Sequence, residues 1–412
     1  MKWFCSIVAS LLFMSAQSFG FDGGWSVQAS HTLSNLYGIT FSDANTWIGV
    51  GSSGTIVRST DGGIAWSTVQ SPSADDLRAV SFSGNIGLAV GIAGRVLRTT
   101  NAGLIWVQET RPTTRNLYSV SIGSSYAVIT GEEGTIFVST DAGISWSQRT
   151  AGTASILFGV SVQGITSVGV GGQGAVVMSA NSGQGWGLTV LGPPQQLFFY
   201  GTSFITPTTG WAVGSYQPTG SIIMKSTQSG FVWTLQSAPT TNILTGVSFA
   251  SVDIGTAVGF NGTIVHTTNS GTDWVSQQSN TPQSLNAVSF ITPQMGIAVG
   301  DSGTILRTTV GGTTDVGQQS QSRIPGTFTL NQNYPNPFNP STTITFRVDL
   351  SGRVSLKVFN MIGQEVATLI DGAETAGQHE VNFNATDLPS GAYFYRLQSG
   401  NLTETRRMLL LK

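Results

Sequence analysis

Short apolar runs, many alternating with Ser or Thr and each closed by a Gly-containing turn, recur through residues 21–312. Tryptophan marks the period. Trp25, Trp66, Trp106, Trp146, Trp186, Trp233 and Trp274 are spaced by 41, 40, 40, 40, 47 and 41 residues. Seven segments share one order: an apolar strand, a second strand ending in Val-Gly or similar, a third strand after a Gly turn, then a turn before Trp. The third strands align most clearly, from Gly54-Thr55-Ile56-Val57-Arg58-Ser59-Thr60 to Gly303-Thr304-Ile305-Leu306-Arg307-Thr308-Thr309. A period of this size with four short strands predicts a propeller blade. One such sheet is apolar on both faces and cannot bury them alone; packing between two neighbours does so, and closing the ring removes the naked ends. The pattern therefore predicts an all-β chain whose residues 21–312 form a seven-bladed β-propeller.

The closure is also legible. The seventh repeat has three strands, but Asp315 stands where its Trp is expected, while Trp25 precedes the first repeat unpaired. The segment Trp25–Ser30 is expected to supply the outer strand of the last blade. The fifth repeat is the long one, with Gly192-Pro193-Pro194 and Tyr216-Gln217-Pro218-Thr219-Gly220 as extra loop.

Composition agrees with strands and tight turns: Gly occurs 52 times and only 9% of residues are charged. Residues 1–20 read as a signal peptide, with Lys2, an apolar run from Trp3 to Met14, and small residues at Ser15, Ala16, Ser18 and Gly20. The apolar run is too short to span a bilayer. Cys5, the one cysteine, would leave with it, so no disulfide or cysteine metal site is expected. Without Lys2, 17 basic residues face 20 acidic ones, which argues against nucleic acid as a partner. No later segment is long and apolar enough to predict a transmembrane helix in the mature chain.

The turn before each Trp has a form of its own. It reads Ser59-Thr60-Asp61-Gly62-Gly63-Ile64-Ala65-Trp66 in the first repeat and Ser139-Thr140-Asp141-Ala142-Gly143-Ile144-Ser145-Trp146 in the third. This resembles the Asp-box, or bacterial neuraminidase repeat. Asp and Asn suit it because they bond nearby backbone amides, and Gly accepts a positive φ. The Asp position drifts to Asn101, Asn181, Gln228, Asn269 and Val310. A catalytic or calcium-binding acid would not drift so, and a structural role is expected for Asp61, Gly63, Trp66, Asn101, Trp106, Asp141, Trp146, Trp186, Trp233, Asn269 and Trp274. Over residues 25–312 the repeat resembles the propeller family of the photosystem II assembly and stability factor. That resemblance implies a protein-binding, non-catalytic propeller.

After the propeller, residues 313–327 are polar and aperiodic, as in a linker. Residues 328–412 return to strand periodicity and predict a small, Ig-like β-sandwich. Asn333-Tyr334-Pro335-Asn336-Pro337-Phe338, the Gly391-Ala392-Tyr393-Phe394-Tyr395 run and the ending Met408-Leu409-Leu410-Leu411-Lys412 resemble the type A C-terminal sorting domain of type IX secretion. That resemblance implies export, with the secretion machinery as partner through 328–412 and cleavage in the linker, to a secreted or surface-attached state.

Candidate chemistry is sparse. Residues 21–312 hold nine Asp, three Glu and two isolated His, and no metal, cofactor or nucleophile motif. No catalytic residue is expected. Sialidases share the Asp-box, but their Arg-Ile-Pro motif precedes it, whereas Arg323-Ile324-Pro325 lies in the linker. Two surfaces are candidates for binding. One third-strand position carries Arg58, Arg98, Lys225, His266 and Arg307 on contiguous blades, a basic arc suited to an acidic partner or anionic glycan. Tyr37, Tyr118, Phe158, Phe198 and Tyr200, near the starts of first strands, are suited to line a mouth of the central channel. The expectation is an exported binding or scaffold module for a protein or glycan, with a sialidase-like hydrolase and an envelope assembly factor as the alternatives.

Overall fold

The computed structural model describes residues 24–193, 196–311, 329–348, 352–360, 364–375, 377–399 and 402–412. The expected signal peptide, the linker, and Cys5 lie outside the described residues. Two compact units are present, one on either side of that linker.

The first unit is seven four-stranded antiparallel sheets. Blade 1 runs from its inner strand Leu36–Phe41 through Trp47–Gly51 and Ile56–Ser59 to the outer strand Ser67–Thr68. The inner strands of blades 2 to 7 start at Leu77, Leu117, Leu157, Leu197, Leu244 and Leu285. The starting leucines are buried, and each inner strand packs against the next round the whole ring, Leu36–Phe41 against Leu285–Phe290 included. Each seam is an apolar layer shared by two blades. Ile48, Val50 and Ile56 of blade 1, for example, meet Leu77, Ala89, Leu97 and Trp106 of blade 2. Burial of both faces of every sheet is what makes the closed ring stable.

Ser26–Gln28 is the outer strand of blade 7, paired antiparallel as Ser26 with Arg307, Val27 with Leu306 and Gln28 with Ile305. Trp25 is 1% exposed, packs edge-to-face on Phe290 at 5.9 Å and donates its indole N–H to Gln277 Oε1 at 2.8 Å. The expected splice of the chain's start into its last blade is therefore present.

The second unit is a β-sandwich. Thr329–Leu330, Ser341–Val348 and Gly377–Asn384 form one sheet. Glu365–Glu374, Gly352–Phe359, Gly391–Ser399 and Leu402–Leu410 form the other, in that order. Inward residues of both sheets, among them Phe346, Phe383, Leu356, Tyr395 and Met408, share one core. The Asn333–Phe338 motif fastens this sandwich. Asn333 is buried, its amide bonded to Pro335 O and Thr342 Oγ1, and Phe338 pairs in parallel with Leu410.

Candidate functional site: the channel mouth

Each inner strand carries a β-bulge close to its start. In blade 1, Leu36 pairs with Gly51 and Gly38 with Val50, which leaves Tyr37 as the extra residue. A bulge breaks the strict alternation of the strand and re-aims one side chain. The seven bulged residues are Tyr37, Arg78, Tyr118, Phe158, Tyr200, Thr245 and Asn286, one from each blade, and all seven line a cavity of about 500 Å³. They are half-buried.

The ring is chemically lopsided. Tyr118, Phe158 and Tyr200 form a continuous aromatic wall, with ring centroids 5.3 Å apart at both steps. Beside it, the Arg78 guanidinium lies 4.3 Å over the Tyr37 ring and is paired with Asp76 at 3.1 Å. Asp76 also accepts the amide of Ser53 from blade 1, so Arg78 is held from both sides. The far side is polar and internally satisfied: Asn286 donates to Leu36 O and Asp301, and Thr245 to Leu285 O. Tyr118 bonds Glu132 at 3.4 Å, and Glu132 in turn takes two bonds from Asn116. Burial and then the Glu132 charge push the Tyr118 phenol up from its usual value, so it stays a hydroxyl donor.

Four of the five expected aromatics thus come together at the mouth. Phe198 does not line it. The fifth inner strand is longer, and its bulge falls at Tyr200, two residues later. Phe198 instead lies over Gly172 of blade 4, in ordinary contact with where a Cβ would stand. Arg78, Thr245 and Asn286 were missed by the aromatic criterion; the signal that finds them is their shared place directly after the buried first-strand Leu.

The residues of the expected basic arc are engaged between the blades. Arg58 Nε donates to Ala102 O at 2.8 Å, Arg98 Nε to Ala142 O at 2.8 Å and Arg307 Nε to Gly62 O at 2.7 Å. Lys225 Nζ reaches Ser270 O at 3.1 Å and lies over the Trp211 ring. Each acceptor is a carbonyl in the Asp-box turn of the following blade. The cations are half-buried staples between blades. His266 is buried, bonded through Nδ1 to Thr256 Oγ1 at 2.9 Å, and burial lowers its pKa. In blades 3 and 4 the same slot holds Val138 and Met178, which touch Gly183 and Gly230 of the next turn.

Within each Asp-box turn, local bonds from the Asp or Asn side chain fix the backbone. Asp61 Oδ1 accepts from Ile64 N, Ala65 N and Ser59 Oγ, and Trp66 donates its indole N–H to Gly63 O. Asn101 and Asn181 do the same work through an amide oxygen. Among the described residues no three His, Cys, Asp or Glu side chains are grouped as a metal would need.

Residues 21–169 and 225–336 match the family described as photosynthesis system II assembly factor YCF48. The chain belongs to this YCF48 family. The unmatched stretch contains most of blade 5, whose third strand Gly220–Ser226 is longer than those of its neighbours. Solved structures agree on the fold. A structure of YCF48 bound to a D1 peptide is 19% identical, covering 70% of this chain and 95% of its own, with a TM-score of 0.58. YCF48 from Cyanidioschyzon merolae is 19% identical, covering 69% and 98%, with a TM-score of 0.57. The WD40 propeller domain of Doa1 is 11% identical, covering 69% and 96%, with a TM-score of 0.56. No curated protein matches the chain significantly. Residues 332–411 match the secretion system C-terminal sorting domain. This YCF48-family propeller is thus joined to a type IX sorting domain, which marks it for export to the outer membrane or cell surface. No helix among the described residues is long and apolar enough to cross a membrane.

Proposed function

We propose that the exported propeller is a non-catalytic peptide-binding module and that the channel mouth is its binding face. The observation that carries this reading is the bulge ring: an aromatic wall of Tyr118, Phe158 and Tyr200 beside a pre-positioned Arg78. Aromatic rings bury large area at low ordering cost, and a fixed guanidinium adds direction towards a carboxylate. Among the described residues, the cavity lining contains no carboxylate, imidazole or thiol. A hydrolytic mechanism would draw its acid and base from such groups. Tyr118 is paired with Glu132, as a tyrosine nucleophile would be, but its phenol is pushed up rather than down, which suits a donor and not a phenoxide. The D1 peptide held by a YCF48 structure of the same fold favours a peptide over a glycan as ligand.

The test is to pan a display library of random unstructured peptides against the full chain. Enriched peptides are expected to lose about tenfold or more in affinity on Phe158→Ala or Arg78→Ala, as anchor residues do. Failure to enrich any peptide, affinity indifferent to both substitutions, or turnover of a glycoside panel would each reject the reading.

A further inference from the structure

Blade 5 is taller than the blade it packs on. In blade 4 the second and third strands pair as far as Val170 with Val176 and then turn over at Gly172–Gly174. In blade 5 the equivalent pair, Val213 with Ile223, is followed by three further rungs: Gly214 with Ile222, Ser215 with Ser221 and Tyr216 with Gly220. The inner strand follows them, with Leu197 opposite Tyr216. Alternation then fixes which side chains share a face. Leu197, Tyr216, Ile222 and Met224 fall on one face, and Leu235 of the outer strand joins them opposite Met224. That face packs on blade 4, where Val168, Val170, Val176 and Met178 share its core. The added rungs reach past the sheet that covers the rest of it.

A cavity of about 570 Å³ lies there, lined by these five side chains, by residues 191–193 of the connection from blade 4 and by residues between 236 and 241. Leu191, Tyr216 and Met224 are only half-buried. Among the described residues, no charged side chain lines it. Its polar groups are already engaged. Ser221 Oγ donates to Thr240 O, Thr219 Oγ1 to Tyr216 O at 3.2 Å, and Gln236 Nε2 to Ser270 O at 3.4 Å. Blade 1 has a cavity in the corresponding place, between its turn at Ser53 and Gly54 and residues 68–74, but Ser, Thr, Gln and Gly dominate its lining. The apolar character is therefore particular to blade 5. Leu191, Tyr216, Ile222 and Met224 also lie in the stretch between residues 169 and 225 that the family match skips.

We infer that this cavity is a second binding site, for an uncharged and largely apolar small molecule. Its volume is that of a small-ligand pocket, and its walls come from several strands of one rigid sheet. A ligand that covers the half-buried side chains gains by removing them from water. An ionised ligand would lose its hydration with no opposite charge to replace it. The inference is independent of what the channel mouth binds.

The experiment is titration of the full chain with N-phenyl-1-naphthylamine, an uncharged dye that brightens in apolar surroundings. Saturable one-to-one binding is expected. Leu235→Ser removes part of the wall at a position 71% exposed and should weaken binding about fivefold or more. Thr219→Trp, at the exposed tip of the hairpin, should fill the cavity and abolish binding. Neither exposed substitution should change the melting temperature. Phe158→Ala at the mouth, and Leu104→Ser, exposed in the Asp-box turn of blade 2, should bind the dye as the unaltered chain does. The anionic relative 8-anilinonaphthalene-1-sulfonate should bind at least about tenfold more weakly. Absence of saturable binding, or binding indifferent to both Leu235→Ser and Thr219→Trp, would overturn the inference. Loss on Phe158→Ala alone would place the dye in the mouth and overturn it as well. Equal affinity for the two dyes would reject an uncharged ligand. Binding lost together with a lowered melt in both variants would make these walls structural. Leu235-dependent self-association in sedimentation, with no dye bound, would assign the face to a second copy of the chain instead.

Discussion

The acidic residues of the propeller turns are held ionised by short-range bonds. Asp141 accepts from Ser145 N, Ser145 Oγ and Ser139 Oγ, and these bonds, the Ser145 side chain first, hold its pKa down at about 2. A depressed carboxylate stabilises the fold above its ordinary value, and that stabilisation is lost as pH falls through the folded value. For Asp141 the window runs from 3.8 down to about 2. Because the group is exposed, the effect is small. Asp141→Asn is expected to leave thermal stability at neutral pH nearly unchanged, since Asn101 and Asn181 fill the same place. It should flatten the acid limb of stability within that window. Melting curves recorded across acid pH check this; an acid limb identical to that of the unaltered chain would assign the loss elsewhere. The same logic explains the drift from Asp to Asn along the repeats: the turn needs an oxygen acceptor, not a charge.

At the scale of the blade, the ring constrains backbone as tightly as side chain. Gly171, closing the second strand of blade 4, has an extended φ of −166° that any residue adopts. What requires glycine is proximity: a Cβ there would lie 2.0 Å from Ile156 O. At the equivalent glycines of other blades, such as Gly51 and Gly91, a Cβ would meet the corresponding carbonyls, Asn35 O and Asp76 O, at 2.0 and 1.9 Å. Gly171→Ala is therefore expected to destabilise the propeller by about 3 kcal/mol through overpacking. Gly187→Ala, with nothing within 4 Å, should stay within about 0.5 kcal/mol. Denaturant titration reads both, and equal midpoints for the two variants would contradict the crowding argument. The bulges belong to the same scale. They let a strand that must alternate to bury its seams still send one side chain to the mouth.

At the scale of the whole molecule, stability depends on joining the two ends of the propeller chain. Trp25→Ala should cost about 4 kcal/mol, as large core truncations do. For a unit of this size that corresponds to about 7 °C in Tm. Deleting Trp25–Gln28 removes three rungs of pairing as well and bares the edge of Ile305–Thr308. Such an edge pairs with other chains. The deletion should therefore show concentration-dependent association by size-exclusion chromatography in addition to a lower melt. A monomeric deletion variant with an unchanged melt would mean that the ring does not depend on its splice.

What the sequence determined by itself was everything encoded at short range or by repetition. The blade count follows from the period, the splice from the missing outer strand after Thr308 and the unpaired Trp25, and the Asp-box role from residues within one turn of each other. The sorting motif was equally legible as a local string. The tertiary structure decided what each blade does to the next. Arg58 and Arg98 look like an arc because they occupy equal places in their repeats, yet each reaches a carbonyl 44 residues further on. That distance in the chain carries no local signal, and only packing the blades reveals that the charges are already engaged. The mouth was half visible for the same reason. Aromatics announce themselves by type, but whether a side chain faces the channel depends on the bulge, and that is set by how one strand's register meets its partner.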